Sequence, residues 1–156
     1  QGAWCPLHRP AAGIVTDGAE TLVHATCVAI GEVGVLLRGP SGSGKSDLAL
    51  RLIEGGAKLV ADDQVVLSEV AGSLLASAPA VLRGKIEVRG CGILDIPYEK
   101  SVLMRLVIDL VLRDEIPRLP EPVCCDLAGR ALPLYRLHAF DASCSAKVRS
   151  LVMILD

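Results

Sequence analysis

The amino-acid sequence predicts an α/β domain with a mixed β-sheet and few helices. The first observation is a Gly-rich loop, residues 39–46, between an apolar strand pattern and a helix pattern. The second is a series of short segments rich in Val, Leu and Ile, as expected for strands. The third is composition: 51% of the 156 residues are apolar but only 3% are aromatic, so aliphatic side chains must form the core. We expect one domain over residues 1–156.

The first half of the chain is predicted to consist of strands around one helix. Five segments have a strand pattern: residues 21–30, 33–38, 58–62, 65–70 and 73–78. The first two would be joined at Gly31-Glu32, and the last two would form a hairpin that turns at Ala71-Gly72. Residues 46–54 predict a helix, because their apolar residues share one face and two glycines follow.

The second half is predicted to contain two further strands and a C-terminal helix. Residues 102–112 could be a helix on the spacing of Arg105 and Asp109, but their apolar residues alternate, which favours a strand. Residues 130–137, RALPLYRL, predict the last strand. Residues 141–155 predict a helix with the aspartate at its start as N-cap and an apolar stripe along one face.

Two segments between these elements are predicted to be loops. Residues 83–92, RGKIEVRGCG, carry three glycines and indicate a flexible loop with a short ordered centre. Residues 117–122, PRLPEP, indicate a proline-rich loop.

Composition argues against several classes of protein. The net charge is −2, so there is no basic field to hold nucleic acid. No apolar run reaches about 18 residues, so no membrane span is expected, and no secretory signal is recognisable. The six cysteines form no Cys-x-x-Cys pair and have no histidine at zinc-ligand spacing. We therefore expect them to be reduced, which is typical of a cytoplasmic protein.

Residues 39–46, GPSGSGKS, match the phosphate-binding pattern G-x-x-x-x-G-K-[ST] in full. The glycines let successive N–H groups turn toward an anion, and the following helix presents its positive end. Lys45 would carry its charge to the outer phosphates, and the Ser46 hydroxyl would ligate Mg²⁺. A chance match in a surface turn is the alternative, but the flanking strand and helix oppose it. The predicted nucleotide-binding residues are Gly39, Pro40, Ser41, Gly42, Ser43, Gly44, Lys45 and Ser46.

Two adjacent acids, Asp62 and Asp63, follow the strand predicted after this helix, 16 and 17 residues beyond Ser46. Strands disfavour aspartate, so the pair needs an explanation. The spacing places both acids at the carboxyl end of a strand next to the loop. Strand alternation would then point one acid at the metal and the other at an incoming hydroxyl. A solvated turn or a helix cap is the alternative.

Three further positions are ambiguous on the residues alone. His24, on a strand pattern, is better explained as a half-buried histidine with a satisfied hydrogen bond. Glu87 and Arg89 would share one face of an extended segment, for which an exposed ion pair is the simpler explanation. Arg118 in the proline-rich loop could bind phosphate, although a solvated arginine is more common.

Taken together, these features resemble the HPr kinase/phosphorylase family, bacterial serine kinases that modify the phosphocarrier protein HPr. The resemblance extends over about residues 21–125 and rests on three segments: VHATCVAIGEVGVLLRGPSGSGKSDLAL, GGAKLVADDQV and IEVRGCGILDI. The last is similar to the family's signature, E-x-R-G-x-G-I. The resemblance implies a P-loop kinase core related to phosphoenolpyruvate carboxykinase, with ATP and Mg²⁺ as cofactors.

The resemblance also implies roles for particular residues. The implied catalytic residues are His24, Lys45, Asp63 and Arg118. The implied metal ligands are Ser46 and Glu87, with Asp62 assisting. Asp63 would be the base in phosphorylation and the acid in the reverse, phosphorolytic reaction. Arg118 is an imperfect match, because the family's catalytic arginine stands in an R-L-G stretch and here the stretch is R-L-P.

The resemblance implies HPr or its nitrogen-branch relative as the partner, a role in phosphotransferase signalling, and a homo-oligomer, a hexamer in many members. The chain is similar to the short form of the family, without the N-terminal domain of longer members. Gln64 replaces the arginine that follows the Asp-Asp pair in the family, so kinase activity follows more directly than phosphorolysis. The alternatives are a small-molecule P-loop kinase and a nucleotide-sensing module without transfer activity.

Overall fold

In the computed structural model, which describes residues 20–155, most of the chain is β-sheet. The strands of this part of the chain are β1 (Glu20–His24), β2 (Thr26–Ile30), β3 (Val33–Arg38), β4 (Lys58–Ala61), β5 (Gln64–Val70), β6 (Ser73–Ser77), β7 (Lys85–Val88), β8 (Gly92–Asp95), β9 (Val102–Leu110), β10 (Cys124–Leu127) and β11 (Arg130–Leu137). Its α-helices are α1 (Lys45–Glu54) and α2 (Cys144–Leu155). The predicted α/β class with a mixed sheet and few helices is confirmed.

The large sheet branches at β9. Along its main path the strand order is β1-β5-β6-β9-β3-β2-β4. One edge of β9 pairs with β3 in parallel. The opposite edge pairs with β6 near its start, at Val102 and Leu103, and with β11 near its end, from Val107 to Leu110. β11 also pairs with β10, whereas β7 and β8 form a separate two-stranded sheet.

Four strands end at the same edge of the large sheet. β3, β9 and β11 are parallel to one another. β4 runs in their direction, because β4 and β3 are both antiparallel to β2. The Gly-rich loop follows β3, the aspartate pair follows β4, and residues 138–141 follow β11. Since ligands bind beyond the carboxyl ends of strands in such sheets, this edge gathers the segments of the candidate site.

The two faces of the sheet pack into separate clusters. Along β3, Val35 and Leu37 belong to one cluster and Leu36 to the other, as strand alternation requires. β9 alternates in the same way at Leu106 and Val107. The first cluster includes the buried faces of both helices, whereas the second lies among strands of the sheet and includes residues of β5 and β6. This alternation explains why residues 102–110 form the predicted strand and not a helix.

The two helices pack on one face of the sheet and contact each other. Arg149 of α2 donates a hydrogen bond to the carbonyl of Leu52 in α1. Helix α2 begins at Cys144, three residues later than predicted. Asp141 therefore lies two residues before the N-cap position, so the prediction that it caps this helix is wrong, and its carboxylate accepts a hydrogen bond from Nε of Arg113 at 2.9 Å.

Two other predictions about elements are corrected by the structure. The strand predicted over residues 21–30 is divided at Ala25, because β1 pairs with β5 whereas β2 pairs with β3 and β4. Residues 83–92 were predicted as a flexible loop with a short ordered centre; that centre is present as β7, but it pairs with β8, which begins at Gly92, so the segment belongs to an antiparallel hairpin. The glycines that suggested flexibility are turn residues, since Gly90 and Gly92 have φ of 90° and 102°. Strand β10 was not predicted.

The other predicted elements of this part of the chain are present. Helix α1 ends before Gly55, and β5 and β6 form a hairpin that turns at Ala71-Gly72. Residues 117–122 lie outside the helices and strands, as the proline-rich pattern indicated.

The cysteines differ in oxidation state. In the described residues Cys27, Cys91, Cys125 and Cys144 are free, whereas Cys124 is disulfide-bonded. The expectation of reduced cysteines is therefore wrong at Cys124. Burial raises the pKa of the thiols of Cys27 and Cys144, which act as small core residues.

Between residues 20 and 155, none of the helices combines the length and the apolar character that crossing a membrane would require.

Candidate functional site

The Gly-rich loop connects β3 to α1 at the carboxyl edge of the sheet. Gly44, immediately before α1, has φ of 96°, which is unfavourable for any residue with a Cβ. A Cβ at Gly44 would also lie 2.7 Å from Cβ of Ala139. Only glycine therefore fits this position, where the backbone N–H groups of the loop and the positive end of α1 can bind the same anion.

The side chain of Lys45 is buried and is held by the Gly-rich loop. Its Nζ donates to the carbonyl oxygens of Gly39 at 2.6 Å and Pro40 at 3.1 Å, and the residue is only 8% exposed. Ser43 N also donates to the Pro40 carbonyl, at 3.0 Å. Residues 39 and 40 thus hold the lysine and residue 43 closes the turn of the loop, whereas other loop residues line the cavity described below.

Asp62 is buried and collects three hydrogen bonds. Its Oδ1 accepts from Oγ of Ser46 at 2.8 Å and from Oγ1 of Thr26 at 2.9 Å. Its Oδ2 accepts from the backbone N–H of Glu87 at 2.9 Å. A carboxylate with these donors has a fixed orientation, and its Oδ1 lies beside the serine hydroxyl of the P-loop.

Asp63 has the opposite environment. Its side chain is 65% exposed, and its Oδ1 lies 3.2 Å from Nδ1 of His24. Its backbone has φ of 69°, in the left-handed region. The backbone carbonyl of Asp63 accepts from N–H of Ala25 at 3.2 Å. The side chains of the two acids therefore have different partners and different exposure, as the sequence predicted.

The reason for this separation differs from the one predicted. β4 ends at Ala61, so both acids lie after the strand and not on it. Their side chains diverge because the backbone of Asp63 is left-handed, whereas the prediction relied on the alternation of side chains along a strand. β4 is also not next to the P-loop strand, because β2 lies between them. Asp62 still reaches Ser46, since β4 and β3 end at the same edge.

Residues 24–26, at the junction of β1 and β2, hold both acids. His24 contacts the side chain of Asp63, Ala25 its backbone, and Thr26 the side chain of Asp62. His24 is exposed, with 59% of its side chain accessible, so the half-buried histidine favoured on the residues alone is wrong. Thr26 was not predicted as a site residue, although its position two residues after His24 was the available signal.

These residues line a cavity of about 290 Å³. Its lining residues are His24, Thr26, Ser41, Gly42, Gly44, Lys45, Ser46, Asp47, Leu50, Asp62, Asp63, Glu87, Val88, Arg89 and Phe140. The structure therefore brings together most of the predicted catalytic, nucleotide-binding and metal-binding side chains. Phe140, Leu50 and Val88 were not predicted, because an apolar residue in a sequence is usually assigned to the core.

Arg118 is the predicted catalytic residue that does not line this cavity. It is exposed in the segment between β9 and β10. Glu87 and Arg89 both line the cavity, and no ion pair joins them within residues 20–155. The exposed ion pair suggested for them is therefore not observed, and Glu87 contributes its backbone N–H to Asp62.

The site has the ligand chemistry of a magnesium nucleotide. Mg²⁺ prefers oxygen ligands and is usually bound by one or two carboxylates together with substrate phosphates and water. Oγ of Ser46 and Oδ1 of Asp62, 2.8 Å apart, are such oxygens beside the phosphate loop. No group of three His, Cys, Asp or Glu within residues 20–155 could hold a metal by itself. The residues thus fit a metal that arrives with a nucleotide.

An ion pair fixes the strand end that enters the loop. Arg38, the last residue of β3, binds Asp109 of β9 through two hydrogen bonds of 2.7 and 3.1 Å. The hydrogen bond to Asp109 is the main cause of the raised pKa of Arg38. Because these residues are register partners in the parallel pair, the ion pair ties β3 to β9 directly before Gly39.

The fold and the site define a P-loop domain of the kinase type, with a phosphate loop after β3 and two separated acids after β4. The family model described as HPr Serine kinase C-terminal domain matches residues 18–115. The chain therefore belongs to the HPr serine kinase C-terminal domain family.

Individual relatives agree with this assignment. The HPr kinase/phosphorylase of Clostridium tetani is 49% identical over 78 residues, which cover 50% of this chain and 26% of the relative. That of Clostridium novyi is 45% identical over 96 residues, covering 60% of this chain and 31% of the relative. The aligned part of the chain thus spans between a quarter and a third of these curated relatives.

A solved structure extends the likeness to the fold. The HPr(Ser) kinase/phosphatase of Coxiella burnetii superimposes with a TM-score of 0.77 at 30% sequence identity. The superposition covers 86% of this chain and 89% of that one. The likeness therefore includes parts of the chain beyond the residues matched by the family model.

Proposed function

We propose that this chain is the catalytic part of an ATP- and Mg²⁺-dependent serine kinase that phosphorylates a phosphocarrier protein, HPr or its nitrogen-branch relative. The observation that carries the proposal is the pairing of a P-loop serine with a buried acid beside an exposed acid. Ser46 binds Asp62 at 2.8 Å, while Asp63 is turned to the cavity and 65% exposed. Family membership and the names of the relatives support the choice of substrate.

The loop and the buried acid would bind the nucleotide. Backbone N–H groups of residues 42–46 and the start of α1 would hold the phosphates, and Lys45 would leave the loop carbonyls to bind the outer phosphates. Ser46 and Asp62 would hold Mg²⁺, with Glu87 as a further ligand. When bound, Mg²⁺ would neutralise charge on the β- and γ-phosphates. Thr26 and the Glu87 N–H would keep Asp62 oriented toward the metal.

The exposed acid, Asp63, would act as the general base. Asp63 would accept the proton of the carrier's serine hydroxyl while that oxygen bonds to the γ-phosphorus. The bond from the γ-phosphorus to the bridging oxygen of ADP breaks, so ADP leaves and phosphoserine remains. His24, 3.2 Å from Asp63, would orient the carboxylate. Arg118, in the exposed segment 117–122, would have to come from outside the cavity lining to bind phosphate.

Incubation with γ-labelled ATP, Mg²⁺ and purified HPr-type carriers tests the proposal. We expect label on one serine of a carrier and no label when that serine is replaced by alanine. Ser46→Ala should reduce both the rate and the response to Mg²⁺. Label on a small metabolite would favour a small-molecule kinase, and tight ATP binding without transfer would favour a nucleotide sensor. Absence of label on every carrier tested would refute the proposed substrate.

The reverse reaction, in which inorganic phosphate removes the phosphoryl group, is proposed as weak in this chain. Gln64 stands where the family carries arginine, and it pairs with His24 across β1 and β5, beside Asp63. A missing positive charge there would reduce affinity for the attacking phosphate. Gln64→Arg should therefore increase phosphate-dependent release from the phosphorylated carrier. Rapid release by the parent, unchanged in the variant, would contradict this.

The location and assembly are proposed from family membership alone. We propose a cytoplasmic protein that forms a homo-oligomer, a hexamer in the simplest case. Sedimentation of the purified chain tests the assembly, and a monomer at micromolar concentration would contradict it.

A further inference from the structure

Phe140 is an exposed aromatic side chain at the rim of the P-loop. It is the only phenylalanine in the chain, it is 58% exposed, and it lines the cavity. A Cβ on Gly44 would lie 3.0 Å from Cζ of Phe140, so the ring lies close against the loop. An exposed aromatic ring that lines a cavity offers a flat apolar face that a ligand can cover. Neither the acids nor the phosphate loop explains its position.

The segment that carries Phe140 is tied to its surroundings by polar contacts. Arg51 of α1 donates to the carbonyl oxygens on both sides of it, those of Ala139 and Asp141. Asp141 is in turn bound by Arg113. Nδ1 of His138 lies 2.9 Å from the carbonyl oxygen of Val111, and its ring meets that of Phe140 edge to face at 5.8 Å. The backbone that carries the ring is therefore held in place, and the ring itself contacts His138.

The sheet topology places Phe140 and the acids on opposite sides of the phosphate loop. β4 and β11 flank the P-loop strand on different sides, with β2 and β9 as the intervening strands. The acids follow β4, whereas Phe140 follows β11. A nucleotide whose outer phosphates lie toward Asp62 and Asp63 would direct its nucleoside away from them, toward the end of β11.

The cavity is lined by both polar and apolar side chains. The acids, His24 and Arg89 line it, whereas its apolar lining residues are Leu50, Val88 and Phe140. Leu50 of α1 and Phe140 both line the cavity. A nucleobase has flat apolar faces that stack on aromatic rings, and the exposed ring of Phe140 offers such a surface.

We propose that Phe140 forms the subsite for the nucleobase of the bound nucleotide and that the base stacks on its ring. This rests on the proposed function insofar as the ligand is a nucleoside triphosphate. Arg51 is a positioning residue, which holds the segment of residues 139–141 against α1.

Calorimetric titration of the full chain with MgATP and with magnesium tripolyphosphate tests the subsite. Tripolyphosphate has the phosphates but no base. We expect Phe140→Ala to weaken MgATP binding about 5- to 100-fold and to leave tripolyphosphate binding unchanged. Phe140→Trp should keep or improve MgATP binding. Phe140→Leu, which keeps bulk beside Gly44 but lacks the aromatic face, should behave like the alanine variant. Met153→Ala, which removes a 74% exposed apolar side chain from α2, is the control and should leave the affinity for both ligands unchanged.

Equal weakening of both ligands in Phe140→Ala would overturn the proposal, because Phe140 would then support the loop. Unchanged binding of both ligands would overturn it as well. If unchanged binding were accompanied by a raised KM for the phosphocarrier, Phe140 would contact the protein substrate. The two proposals fail separately. Base-dependent binding without label on any carrier refutes the kinase function alone, whereas carrier labelling with Phe140-independent ATP binding refutes the subsite alone.

Discussion

At the scale of the residue, the site depends on two neighbouring aspartates whose side chains lie in different environments. Asp62 is 7% exposed and receives three hydrogen bonds, whereas the Asp63 side chain is 65% exposed and contacts His24. A buried carboxylate with several donors is suited to hold a metal in one orientation. An exposed one can meet an incoming hydroxyl. The chemistry proposed for each acid follows from these environments.

Replacing the exposed acid should separate binding from transfer. Asp63→Asn keeps the size of the side chain, and asparagine tolerates the left-handed backbone with φ of 69°. We expect MgATP binding within about threefold of the parent and phosphoryl transfer lower by about 100-fold or more, as expected for loss of a general base. Calorimetry and carrier labelling measure the two quantities. Glu32→Gln, in the exposed β2–β3 turn, is the control, and equal transfer rates in parent and Asp63→Asn would refute the assignment.

The hydroxyl of the buried Thr26 should increase the apparent affinity of the site for Mg²⁺. Thr26→Val replaces a fully buried hydroxyl by a methyl group and removes one of the three donors to Asp62. We expect the Mg²⁺ concentration for half-maximal transfer to rise about threefold or more, while Thr26→Ser, which keeps the hydroxyl, stays near the parent. A Mg²⁺ titration of the transfer rate measures this. The same Mg²⁺ response in all three proteins would show that the hydrogen bond does not orient the acid.

At the scale of the element, polar contacts tie loops to the P-loop helix. The Arg113–Asp141 pair joins the short 3-10 turn Arg113–Glu115 to the segment after β11. Arg51 joins that same segment to α1. These contacts connect the ends of three elements that a sequence pattern treats as independent.

The Arg113–Asp141 pair predicts a pH dependence of stability. The hydrogen bond from Arg113 holds the pKa of Asp141 below its ordinary value of 3.8. The folded state therefore binds fewer protons there, so the contribution to stability is complete above the ordinary value and is lost as pH falls from it through the lower pKa of the folded state. In urea unfolding, Asp141→Asn should be less stable than the parent near pH 6, and this difference should shrink below about pH 3.8. Asp114→Asn is the control from the neighbouring turn. A difference that persists unchanged at low pH would contradict the assignment.

At the scale of the whole molecule, the central strands β3 and β9 connect both cores with the site. β3 packs Leu37 toward the helices and Leu36 toward the second cluster, and then enters the phosphate loop. Stability of the two cores and geometry of the site are therefore linked through one strand. Aliphatic packing carries this core, as the low aromatic content required.

Truncation in the second cluster should destabilise the fold. Leu36 is fully buried, so Leu36→Ala should lower the free energy of unfolding by about 2–5 kcal/mol through lost contacts and a cavity. Leu119→Ala is the control, since Leu119 is 85% exposed and its replacement should change stability by less than about 0.5 kcal/mol. Urea unfolding measures both. A loss below about 1 kcal/mol for Leu36→Ala would mean that the cluster can close the cavity.

The sequence by itself determined the features that depend on local pattern. Alternation predicted β9, the helical face predicted α1, and the complete loop motif predicted the phosphate site, because each signal lies within a few neighbouring residues. The adjacency of Asp62 and Asp63 was enough to suggest two different roles. Resemblance to a family supplied His24 and Glu87, which the residues alone left ambiguous.

Only the tertiary structure decided which distant residues meet. Pairing partners divide the chain at Ala25, because β1 and β2 bond to different strands. The left-handed turn at Asp63, the buried hydroxyl of Thr26 and the position of the segment that carries Phe140 likewise depend on contacts between segments far apart in the chain. Such contacts depend on strand order and loop path, which no single window of sequence contains. The physical reason is that side-chain periodicity is local, whereas the site forms where four strands end at one edge of the sheet.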